Sequence, residues 1–318
     1  MNYSSLYLLV LFFFSIKCIP TFPTFAILSI PIIERVSEDK FKSTKERIDN
    51  TFVRWLQASG ADVIPINTFT PQSQVDQILQ KVNGIIFPSN DQPISSTSSY
   101  YNQAKYIYSK VIEIYNESKG EIKVPLLFIG NDLGLLCKFV DEDHDFIVQS
   151  LQIWGNELHF NNITNAKKTF IFSEFDNRDI RAMEFFPMLP HDIQYMVANA
   201  DFLSTPSLKK AFTVLAVTRG LSGIRYVAAL QSKEFPIIGI AFNPSLIAFE
   251  QSGKPETDRH YLAVKVARYM GNSLVQFAMK NNRTMTLEDK LKLNYIDPYK
   301  NYPEVINGKY QHLYKRTK

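Results

Sequence analysis

The sequence predicts an α/β fold in three layers, with a mostly parallel central sheet and helices on both faces. Two patterns carry the prediction. Between residues 25 and 129, short apolar runs alternate with amphipathic runs at helical spacing, the order of successive β–α units. The apolar runs are continuous rather than alternating, as in strands buried on both sides. Of the 318 residues, 45% are hydrophobic, 13% aromatic and 21% charged. That supports a conventional core and excludes a disordered, collagen-like or disulfide-knot protein.

Phe25 to Ile30 (FAILSI) is the first buried strand, stopped by Pro31. Thr44 to Ser59 reads as a helix, with Ile48, Phe52, Trp55 and Leu56 at helical spacing and Gly60 as its C-cap. Ala61 to Ile66 is the second strand, and Gln74 to Val82 a short helix. Gly84 to Phe87 is the third strand, Tyr100 to Tyr115 a long amphipathic helix, and Val124 to Ile129 the fourth strand. The second half changes character. Phe170 to Phe172, Phe212 to Thr218, Tyr226 to Leu230 and Ile237 to Phe242 read as antiparallel strands completing the same sheet, with few helical patterns between them. A helix from Asp258 to Lys280 closes the body. No repeat or low-complexity linker interrupts residues 23–282, which are expected to form one domain.

The ends of the chain point to a compartment. Leu6 to Ser15 (LYLLVLFFFS) has the length of a signal-peptide apolar core and is too short to span a bilayer. The usual positive charge before it is missing. Residues 1–22 are read as a secretory signal, cleaved somewhere between Cys18 and Phe22. No second run approaches membrane length, so no span is expected after signal removal. Three sequons, at Asn116, Asn162 and Asn282, fit a glycosylated protein that is secreted or held in a lysosomal or vacuolar lumen. Cys137 would be the one cysteine left, which precludes an internal disulfide.

Lys plus Arg number 35 and Asp plus Glu 31, a net charge of +4. Residues 281–318 hold eight basic and four acidic residues and carry all of it; residues 1–280 balance at 27 against 27. A nucleic-acid partner is therefore not expected. Residues 283–318 read as a basic, aromatic tail, packed on the surface or partly disordered.

In an open α/β sheet the chemistry gathers at the carboxyl ends of the strands. Gly130-Asn131-Asp132-Leu133-Gly134 follows the strand VPLLFI with the spacing of a Gly-x-nucleophile-x-Gly turn. Such a turn sets its central side chain in a strained, exposed position, and the next backbone N–H helps hold an oxyanion.

The segments around this turn resemble the γ-glutamyl hydrolase family. They are Ile48 to Ile66, Asn83 to Pro88 (NGIIFP), Leu208 to Leu215, Phe235 to Glu250 (FPIIGIAFNPSLIAFE) and Asn294-Tyr295-Ile296-Asp297-Pro298. The resemblance covers roughly residues 25–300. It implies a class I glutamine amidotransferase-like (flavodoxin-like) fold and thiol hydrolysis of γ-linked glutamyl bonds, as in folate polyglutamates. In the family a Cys in Gly-Thr-Cys-Leu-Gly attacks the amide and a His in Trp-His-Pro-Glu takes the proton. Backbone donors near a Gly-Gly pair after Phe-Pro help stabilise the oxyanion. No cofactor or metal is implied.

This chain departs at each of those points. Asp132 stands at the nucleophile position and Asn243 at the base position, with Ser245 in place of the Glu that follows. Ser89-Asn90 replaces the Gly-Gly pair, so the oxyanion-loop positions are Ser89, Asn90 and Leu133. Asn243 cannot shuttle a proton near neutral pH, and a carboxylate nucleophile forms an ester that still needs a base for its hydrolysis. Side chains at Ser89 and Asn90 disfavour the positive φ that glycines supply. Three rescues are weighed. Cys137 is about 1.4 helical turns past Asp132 and points away from the turn. His144 and His191, which no motif surrounds, are the nearest candidates to partner Asp132 in a new chemistry or metal site. A shifted alignment is the third, although flanking Gly and Pro anchor both turns.

The expected function is a non-catalytic homologue of γ-glutamyl hydrolase, acting in the lumen by binding or partnership. It would retain a polar γ-glutamyl or folate-like ligand, or form a homodimer or a dimer with an active homologue. A carboxylate at the pocket centre is unfavourable for an anionic polyglutamate. The alternative is an active γ-glutamyl hydrolase with altered machinery, and a third reading is a purely structural luminal protein that uses its tail as a contact.

Overall fold

The computed structural model describes residues 22–37, 40–90, 94–144, 147–149, 153–191, 195–220, 223–249, 260–293, 296, 302–306 and 309–315. The signal expected over 1–22, Cys18 included, lies outside them apart from Phe22.

A sheet of eight strands runs through the centre. Its order is β4 (Asp62–Ile66), β1 (Thr24–Leu28), β5 (Gly84–Phe87), β6 (Leu126–Ile129), β14 (Ile237–Ile240), β13 (Arg225–Ser232), β12 (Phe212–Arg219) and β9 (His159–Phe160). The first five are mutually parallel and the last three antiparallel. The last predicted strand, expected to be antiparallel, is β14, which runs parallel to β6.

The period of two along each strand divides the core into two faces. Phe25, Ile27, Ile86, Leu127 and Ile129 pack on one side. They meet α1 (Asn50–Ala58), α6 (Asn177–Phe185), α9 (Pro244–Phe249) and α10 (Tyr261–Ala278). Ala26, Leu28, Ile85, Phe87, Leu126 and Phe128 pack on the other. There they meet α2 (Gln72–Leu79), α3 (Ser99–Glu117), α4 (Asp132–Val140), α7 (Asn199–Ser204) and α8 (Pro206–Ala211). This is the predicted three-layer α/β architecture. Among the described residues no helix is long and apolar enough to cross a membrane.

Several sequence expectations are corrected. The helix predicted from Thr44 starts at Asn50, where Asp49 caps it by accepting from Thr51 N–H at 3.0 Å. The residues before it form β3 (Lys40–Asp49), paired antiparallel with β2 (Ile30–Ser37). Phe170 to Phe172 is not a strand. After α5 (Ile163–Ala166) the chain runs in successive turns, with Phe172 N–H on the Thr169 carbonyl and Phe175 N–H on the Phe172 carbonyl. Burial, not strand pairing, explains that apolar run, since all three residues are in the core. Four helices lie between residues 163 and 211, where few were expected.

Two short antiparallel pairs are also new: β10 (Leu189–His191) on β8 (Ile153–Asn156), and β11 (Tyr195–Val197) on β7 (Ile147–Gln149). The body continues past residue 282. Asn83 and Asn281 bond reciprocally inside the protein, and Met285 and Ile296 join the core. α11 (Leu287–Lys292) follows, with a Thr286–Asp289 capping box. In place of an extended tail, β15 (Tyr302–Ile306) and β16 (Lys309–Lys315) form a hairpin that adds to β3.

Candidate functional site

Sheet order brings the site together. β5, β6 and β14 are consecutive and parallel, so the loops leaving their carboxyl ends are neighbours. Ser89 and Asn90 follow β5. Asp132 and Asn243 each lie three residues beyond the paired residues Ile129 and Ile240. The Gly130 N–H reaches the Ile240 carbonyl at 2.8 Å and carries the pairing into the turn.

Both glycines of the turn have structural reasons. Gly130 adopts φ +62°, which a side chain would resist. A Cβ at Gly134 would stand 3.2 Å from Ile94 Cδ1 and 3.3 Å from Ile147 Cδ1. Asp132, expected to be strained and exposed, is neither. It opens α4 with an ordinary negative φ and is 1% exposed. The left-handed residue is Gly130, two positions earlier.

The Asp132 carboxylate is held by donors from two elements. Oδ2 accepts from Tyr100 Oη at 2.5 Å and from the Ser89 N–H at 3.2 Å, and Oδ1 accepts from the Asn90 N–H at 3.4 Å. Its place at the start of α4 adds the favourable end of the helix dipole. Those contacts offset the loss of water around a buried charge. Asn131 completes the clamp. Its Nδ2 donates to the Asn90 carbonyl at 2.8 Å, its N–H to Ser89 Oγ at 3.3 Å, and its Oδ1 accepts from the Tyr195 N–H at 3.0 Å.

Ser89 takes φ +71° despite its side chain. The expectation that losing Gly-Gly spoils this backbone conformation is thus corrected: Asn131 and Asp132 supply the bonds that hold it. The Leu133 N–H, expected to help hold an oxyanion, instead donates to the Gly130 carbonyl at 3.1 Å.

Asn243 faces a separate network. Its Oδ1 accepts from the Ser245 N–H at 3.0 Å and from Ser245 Oγ at 2.7 Å, and Ser245 Oγ lies 2.8 Å from Thr51 Oγ1. With Ser245 Oγ donating to Asn243, Thr51 must donate to Ser245. Oδ1 is engaged in capping α9, which leaves the amide NH2 as the group Asn243 can offer. The Asn243 N–H donates to the Pro190 carbonyl at 2.9 Å. This places the backbone of His191, one residue on in β10, beside the same strand end.

The other candidates lie elsewhere. Cys137 is fully buried in the face packed against α3, and burial pushes its thiol well above the ordinary range. His144 lies four residues beyond the far end of α4, and its Nδ1 sits 2.6 Å from Asp141 Oδ1. Among the described residues no group of three or more His, Cys, Asp or Glu could hold a metal ion. Tyr100, Asn131, Thr51 and Tyr195 were not foreseen. Two adjacent tyrosines opening a helix, both buried, carry no sign of which one reaches Asp132.

No protein-family model matches the chain. It aligns with γ-glutamyl hydrolase B of Dictyostelium discoideum at 23% identity over 250 residues, 78% of this chain and 71% of that one. With human γ-glutamyl hydrolase it shares 22% identity over 249 residues, 76% of this chain and 73% of the other. Both relatives are γ-glutamyl hydrolases, each below 25% identity over about three quarters of this chain. The fold agrees with the solved structure of a GMP synthase component from Thermoplasma acidophilum. That match has a TM-score of 0.50 and 11% identity, and covers 81% of this chain and 94% of the other. At its two central strand ends the chain presents a clamped carboxylate and a capping amide.

Proposed function

We propose that the chain is a catalytically inactive homologue of γ-glutamyl hydrolase that acts in the secretory or lysosomal/vacuolar lumen by binding or partnership. The observation that carries this reading is the engagement of Asp132 by Tyr100, Ser89 and Asn90. A buried carboxylate so held is a poor nucleophile, and Asn243 has no proton to exchange near neutral pH. In this reading Asp132 and Asn243 stand where the family carries Cys and His, as the sequence resemblance implies. The role would be to retain a polar γ-glutamyl or folate-like ligand, or to pair with itself or with an active homologue. The luminal assignment is supported by Asn116, Asn162 and Asn282, all exposed and open to glycosylation.

The test is glutamate release from folate pentaglutamate by the purified chain starting near residue 24. The expected result is none; turnover that Asp132→Ala abolishes would overturn the reading. A second reading is an active hydrolase with altered machinery, favoured by the bond from Asn243 to Pro190, which brings the backbone of His191 beside the strand end. In that case turnover would be present and His191→Ala would remove it.

A further inference from the structure

We propose that Ser89, Asn90 and Tyr100 form a carboxylate-binding nest whose ligand is the chain's own Asp132. The inference concerns the same site as the reading above but rests on geometry alone, so it stands or falls separately. Ser89 is in the left-handed region at φ +71°. Its N–H and that of Asn90 converge on one carboxylate, one on each oxygen, at 3.2 and 3.4 Å. Consecutive backbone N–H groups turned inward by such a conformation form an anion-binding concavity. Tyr100 Oη adds a third donor at 2.5 Å, from a ring that is 2% exposed. Asn131 fixes the back of the loop by binding the Asn90 carbonyl.

The site is thus built for a carboxylate and filled in cis. A tethered ligand competes at a high effective concentration, so free carboxylates are excluded while Asp132 is present. The contact is autoinhibitory. It keeps the carboxylate or oxyanion of any ligand from the donors that would otherwise receive it. Removing the Asp132 side chain beyond Cβ leaves three inward donors and a space of the volume of formate.

The experiment is thermal unfolding of the natural chain and of Asp132→Ala at constant pH and ionic strength, with formate replacing chloride. Formamide serves as the neutral probe of the same shape. Asp132→Ala is expected to unfold at a lower temperature and to regain stability saturably with formate but not formamide. The natural chain should show no such dependence, and adding Tyr100→Phe to Asp132→Ala should weaken the formate effect several-fold. Equal formate effects on the two chains, or none on either, would overturn the proposal. If Asp132→Ala does not fold, hydrogen exchange on the natural chain decides. Protection of the Ser89 and Asn90 amides supports the nest, and exchange at the rate of an open loop refutes it. Pentaglutamate turnover is read independently, so an active chain that still shows formate rescue in the variant would remove only the inactivity reading.

Discussion

Tyr100 Oη donates to Asp132 Oδ2 at 2.5 Å and ties the first turn of α3 to the first residue of α4. The bond joins a helix that follows β5 to one that follows β6. It therefore closes the same corner of the sheet that the Ser89–Asn90 loop closes through backbone donors. At the position where the resemblance implies a reactive group, the chain has a structural joint.

Tyr100→Phe should preserve the fold and lower stability. The bond goes to a charged acceptor in a dry site, so the loss should be about 1.5–3 kcal/mol. Urea unfolding of the two chains measures it. A neutral effect would mean that the contact contributes nothing to holding the corner.

The Thr51–Ser245–Asn243 chain predicts coupling across the strand end. Ser245→Ala leaves the Thr51 hydroxyl, itself nearly buried, without its partner, at a cost of about 1–3 kcal/mol. Thr51→Val should cost less once Ser245 is already Ala. A double-mutant cycle should show a coupling of at least about 0.5 kcal/mol.

Cys137 should be chemically silent in the folded protein. It is fully buried, and desolvation raises its thiol far above the range where thiolate is present at neutral pH. Iodoacetamide should label it only at the rate at which the chain unfolds. Rapid labelling under native conditions would reopen Cys137 as a substitute nucleophile.

Acid stability should depend on Asp141. Hydrogen bonds from Ser207 and then His144 hold its carboxyl down to about 2, against an ordinary 3.8. Between those values the unfolded chain binds the extra proton, so stability falls as pH falls. The contribution is complete above about pH 4 and gone below about pH 2. Ser207→Ala should shrink this loss, as read from urea midpoints taken over the same range.

The sheet was legible because its strands are short continuous apolar runs bounded by Pro and Gly. Phe25–Leu28, Gly84–Phe87 and Leu126–Ile129 are bare enough to admit one interpretation. Phe170–Phe172 has the same look but turns on itself, because three apolar residues do not distinguish a strand from a buried turn. β3 was hidden inside a charged run, Lys40–Asp49, that carries no period-two signal. At the site, the turns that carry Asp132 and Asn243 were marked by the flanking Gly and Pro, and the sheet sets them beyond neighbouring strand ends. Of the residues that hold them, Ser89 was named from the sequence but Tyr100 and Thr51 were not, since both come from helices that only the folded sheet brings to these strand ends.

The most direct test of the central claim is γ-glutamyl hydrolysis of folate pentaglutamate by the natural chain beside its Asp132→Cys/Asn243→His double variant. The account predicts no glutamate release by the natural chain and measurable release by the double variant, which restores thiol and imidazole at adjacent strand ends. Release by the natural chain, lost on Asp132→Ala, would contradict it and make the buried carboxylate a catalytic group.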